Sequence, residues 1–126
     1  MATRRRVSTA DGHDAVETWA AANDSGESPA PRPVVATAVR WTTEELATRV
    51  PGRSVEVRVP PFAAVQCVEG TVHTRGTPPA VVETDPQTWL ELATGRLGWA
   101  DAVAKGALRV SGRRTDLSAH LPLHRD

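Results

Sequence analysis

The chain has no tyrosine, one phenylalanine, one methionine and a single cysteine, Cys67. One cysteine excludes an intrachain disulfide and a thiolate metal cluster. With aromatics so scarce, the four tryptophans are the large packing elements, and each removes a wide area from water when buried. No run approaches the ~20 apolar residues needed to cross a bilayer, and the arginines near the start have no apolar stretch behind them, so no secretory signal is expected. An excess of either charge is also missing: Lys+Arg and Asp+Glu each number 15. A nucleic-acid binder ordinarily carries a basic face, whereas the only basic block here, Arg4-Arg5-Arg6, reads as a solvated tail. Lys105 is the only lysine, a coding bias that carries no mechanism. The 126 residues suit one core. The expectation is a cytoplasmic protein without a cofactor, nucleic-acid partner or stable membrane insertion.

"DGHDAVETWAAAN", Asp11 to Asn23, places Val16, Trp19 and Ala20 at helical spacing, with acidic residues near its positive end. "DSGESPAPRP" follows as a Pro/Ser-rich linker. Residues 1–32 therefore form an N-terminal helix and linker, with the helix as an appendage at most, and 33–126 form the main domain. The segment "PVVATAVRWTTEELATRVPG" admits two readings. As one helix it starts at Pro33, stops at Pro51-Gly52 and carries a stripe of Val35, Val39, Thr42, Leu46 and Val50. Otherwise Val34 to Arg40 is a strand, and Thr42 with Glu45 caps a short helix stapled by Trp41 and Leu46. The stripe and terminators favour the single helix.

"RSVEVRVP" alternates as a half-exposed strand, "FAAVQCVEG" is a more uniformly apolar one after the Pro60-Pro61 break, and "AVVET" is a third. Val72 to Thr74 extend the second strand or open a loop through Arg75 to Pro79. Next, Thr84-Asp85 supply an N-cap, Pro86 the first helical position and Gly95 the stop. A shorter helix runs from Trp99 to Ala104, "ALRVSG" is a strand, and "TDLSAHLPL" makes one helical turn and an apolar tail.

The order "VVETDPQTWLELATGRLGWADAVAKGALRVSG" resembles the C-terminal half of the sterol carrier protein family. The matching residues are Gly95, Leu97, Ala102, Gly106, Leu108, Val110 and Gly112. From about Val34 to Leu123 the chain is similar to that family's actinobacterial branch, through "PGRSVEVRVPPFAAVQC" and "HTRGTPPAVVETDP". The resemblance implies an α/β (α+β) fold with a five-stranded, mostly antiparallel sheet and helices packed over one face. It also implies an apolar tunnel between the two layers for sterols, fatty acids or acyl chains.

Trp89, Leu92, Leu97, Trp99, Val103 and Leu108, with Val65 and Cys67 of the sheet and Leu121 of the tail, could line such a cavity or fill it. Interiors normally pack without voids, so filling is the commoner fate of any one of them. The tail "LPLH" would act as a plug, with Leu121 and Leu123 inward. His73 and Arg75 lie two apart, so on a strand they share a face, and with Glu83 they form a polar rim. That rim would bind a headgroup or merely tie down a proline-rich loop.

No nucleophile elbow, His-Glu-x-x-His pair or glycine-rich phosphate loop occurs. Asp85 is better explained as a helix cap than as a base. His13, His120 and His124 lack ligand spacing, so no metal site is expected, and Cys67 reads as inert core. The expected function is a non-catalytic carrier of a hydrophobic small molecule or lipid. The alternative is an interaction or dimerisation module, with the cavity filled and the Val34–Val50 stripe docking a second copy. An enzyme using His73, Arg75 and Glu83 ranks last.

Overall fold

The computed structural model describes residues 6–70, 79–113 and 115–124. Helix α1 spans Thr9–Ser25, two residues longer at each end than its apolar spacing predicts, because Ser8 provides the cap: its Oγ accepts from Asp11 N at 3.1 Å. Gly26, in the left-handed region at φ 68°, closes the other end.

Helix α2, Arg32–Arg49, is continuous. Thr42 and Thr43 can be buried within it because their hydroxyls donate to Ala38 O and Val39 O at 2.7 and 2.9 Å. The strand alternative for Val34 to Arg40 is thereby replaced by helix.

Helix α1 is not an appendage. It packs along α2 and buries Val16 and Trp19 in the common core. The backbone of α1 at Gly12 sits against the Trp41 side chain of α2, where a Cβ would lie 2.0 Å from Trp41 Cγ. The other side of α2 lies against the sheet and the next helix. The apolar stripe read as a docking face is therefore largely spent inside the molecule, with Val39, Thr42 and Leu46 fully buried.

The sheet is open and has four strands among the described residues: β1 Val55–Val59, β2 Ala63–Cys67, β3 Ala80–Glu83 and β4 Arg109–Ser111, in the order β2-β1-β3-β4. This corrects the expected five. The residues themselves marked four strand runs, and the fifth came only from the family likeness; residues 72–74, the possible extension, lie outside the described set. Strands β1 and β2 pair antiparallel, as do β3 and β4, while β1 and β3 are parallel. In the parallel pair the strand starts align: Cys67 at the end of β2 and Ala80 at the start of β3 both pair with Val55, on its two sides.

Alternation sorts the two faces. Val55, Val57 and Val59 are buried toward the helices with Cys67, Ala80 and Val82, and Glu56 and Arg58 look the other way.

Helix α3, Pro86–Ala93, starts as its cap predicts: Asp85 Oδ1 accepts from Thr88 N and Oδ2 from Thr88 Oγ1, both at 2.8 Å. Helix α4, Trp99–Ala104, follows a short turn. The tail then buries Leu117, makes a 3-10 turn at Ser118–His120 and buries Leu123. Both Leu123 N and His124 N donate to Ala93 O, at 2.8 and 3.0 Å, satisfying a carbonyl that the end of α3 leaves open.

Candidate functional site

The tail and the turn after α3 enclose a cleft of about 290 Å³. Leu92 from α3, Leu97 from the turn, Trp99 from α4 and Leu121 from the tail face it, with Pro122 and Ser118 completing the wall. Leu92 is buried, and the other three are half-buried around the mouth. Among the described residues no charged side chain lines the cleft. Its wall combines these apolar side chains with Ser118 and with the backbone at Gly95 and Gly98.

Four of the nine anticipated pocket residues thus meet in one place. The other five do not. Trp89 and Cys67 are consumed by the solid core, where Trp89 Nε1 donates to Thr42 Oγ1 at 2.8 Å. Val65 borders a different cleft beside α2, and Leu108 is half-buried outside the one under the tail. Val103 is 55 % exposed on the outer side of α4, where helical spacing alone could not tell outer from inner on so short an element.

Of the expected polar rim, Glu83 alone lies among the described residues. Glu83 pairs in register with Arg58 on one side and Arg109 on the other, across the sheet face opposite the buried valines. The Arg109–Glu83 separation is 4.0 Å. Glu83 is therefore part of a surface charge ladder and does not border the cleft under the tail. His73 and Arg75 lie outside the described residues.

Burial pushes the Cys67 thiol up to about 11, so it remains protonated at neutral pH. Among the described residues no group of three His, Cys, Asp or Glu side chains could hold a metal ion, and no helix is long and apolar enough to cross a membrane.

Sequence reasoning missed what the end of the tail touches. The imidazole of His124 stands 5.1 Å from that of His13 and 6.3 Å from the Trp41 ring, and His13 meets Trp41 edge-on at 4.8 Å. His13 and His124 lie at opposite ends of the chain and no local pattern joins them. Among the described residues the buried Trp41 indole N–H has no hydrogen-bond partner.

A mixed α/β domain with an open sheet, helices on its apolar face and an uncharged cleft beneath its tail is the class that fold and site define. Residues 31–123 match the family described as the bacterial SCP ortholog, and the chain belongs to this bacterial sterol-carrier-like family. No curated protein matches the chain. Helix α1 precedes the matched span.

Proposed function

We propose that the protein is a non-catalytic binder or carrier of a hydrophobic small molecule, an acyl chain or isoprenoid-like compound, held in the cleft under the tail. The observation that carries this reading is the meeting of Leu92, Leu97, Trp99 and Leu121 around one cleft, with no charged side chain in its wall among the described residues. Membership of a sterol-carrier-like family supports it. At about 290 Å³ the cleft lies at the lower edge of the roughly 300–1,000 Å³ usual for ligand pockets. A chain longer than the cleft displaces Leu121 and Pro122 outward. Each 100 Å² of apolar surface covered contributes about 2.5 kcal/mol before ordering costs.

Native mass spectrometry of the full chain, with titration by a fluorescent fatty alcohol and fatty acid, tests the proposal. Bound apolar ligand, a change in tryptophan emission, and loss of uptake in Leu121→Trp are expected. A chain that carries nothing and takes up neither probe ends the proposal.

One observation favours docking as a second reading. Val110 continues the apolar row Val65, Val57, Val82 onto the edge strand β4, yet remains 52 % exposed. Sedimentation over a wide concentration range distinguishes the two, since a strictly monomeric chain removes a homodimer.

A further inference from the structure

A second cleft, about 380 Å³, runs between α2 and β2. Arg40, Thr43 and Glu44 form its helical wall, sharing one face of α2 at i, i+3 and i+4. The opposite wall is the Phe62–Val65 segment, and Arg6 closes one side. Glu44 is buried, and its Oε1 accepts from Arg6 N at 2.9 Å and Val7 N at 3.2 Å. The one carboxylate in the wall is therefore engaged in anchoring the chain where it enters α1, and that anchor holds Arg6 at the cleft. The guanidinium of Arg32 lies over the Phe62 ring at 4.9 Å, a third positive charge next to a lining residue though not itself in the wall. Among the described residues the Arg40 guanidinium has no hydrogen-bond or ion-pair partner. In a chain with zero formal net charge, two guanidiniums in the wall and a third over Phe62, beside one engaged carboxylate, are a local concentration of positive charge.

We propose that this cleft binds an amphipathic anion, with a carboxylate or phosphate between Arg6 and Arg40 and a short hydrocarbon against Phe62 to Val65. Guanidinium groups donate charge-assisted hydrogen bonds to such oxyanions, and the Phe62 ring with Ala63 and Val65 offers the apolar surface that a free inorganic ion would not use. The site is separate from the cleft under the tail and does not depend on that cleft being a carrier site.

Calorimetric titration of the full chain with octanoate, octyl phosphate, octanol and inorganic phosphate tests it. At least one amphipathic anion should bind about tenfold or more tighter than octanol and inorganic phosphate, and salt should weaken it. Which of the two anions binds tells carboxylate from phosphate. Arg40→Gln and Arg6→Gln, both at exposed positions, should each weaken the anion about tenfold while leaving the melting temperature unchanged. Leu121→Trp should leave it untouched. Octanol binding as tightly as octanoate and octyl phosphate, or unaltered anion affinity in Arg40→Gln, overturns the site. Inorganic phosphate matching octyl phosphate overturns the apolar wall. Loss of anion binding in Leu121→Trp but not in Arg40→Gln moves the ligand beneath the tail, which refutes this site and leaves the carrier proposal standing.

Discussion

Trp89 Nε1 donates to Thr42 Oγ1 at 2.8 Å, a buried bond that ties α3 to α2. The same hydroxyl donates its proton to Ala38 O at 2.7 Å, so one oxygen serves both helices. Thr42→Val keeps the shape and deletes both bonds, leaving a buried indole N–H unpaired. The expected loss is about 1–3 kcal/mol, read as a lower urea midpoint. Trp89→Phe added to Thr42→Val should cost less than the two single changes summed, because the orphaned donor disappears with the indole.

Gly12→Ala sets two effects against each other. Alanine improves intrinsic helix propensity by about 1 kcal/mol. Its Cβ, however, would fall 2.0–2.5 Å from three Trp41 ring atoms, and Trp41 is fully enclosed. Overpacking of this kind costs about 1–3 kcal/mol or more, so the steric term should win. A melting temperature equal to or above the parent's would show that α1 does not sit on Trp41.

The two tail leucines should separate stability from uptake. Leu123 is buried in the core, and Leu123→Ala should cost about 2–5 kcal/mol. Leu121 is half-buried at the cleft, so Leu121→Ala should cost less and mainly alter the affinity for an apolar probe. Urea melts and probe titrations on both variants measure this pair of effects.

Cys67 gives a pH-dependent signature. Its folded thiol is held at about 11 by burial, above the ordinary value of 9.0. The unfolded chain ionises first as pH rises, so between about 9 and 11 it binds fewer protons than the folded chain, and stability falls with rising pH across that window. Below 9 this contribution is fully present. Cys67→Ala should flatten this part of the stability profile. In the native protein at neutral pH the thiol should resist a disulfide exchange reagent and react promptly in urea.

Much of the local structure was legible because local rules governed it. Asp85 and Pro86 start α3 as their residue types demand, and the Pro51-Gly52 stop follows α2 directly. The valine alternation of β1 gives its buried face residue for residue. The failures share a physical cause: they depended on contacts between distant segments. Ala36, Ala38 and Ala47 are small enough to let neighbours approach α2 from two sides, but nothing nearby in the chain says that α1 is one of them. The cleft was half legible. Leu92, Leu97, Trp99 and Leu121 carry the right chemistry, whereas Trp89 is drawn into the core by its contact with Thr42 of the distant α2, which no local pattern marks.

The packing of α1 has a practical consequence. A truncated chain beginning where the family match begins would strip the cover from Trp41 and present an oily groove to water. Such a fragment should precipitate or self-associate on expression, so the recombinant protein should start upstream of Arg6, whose backbone Glu44 holds in place.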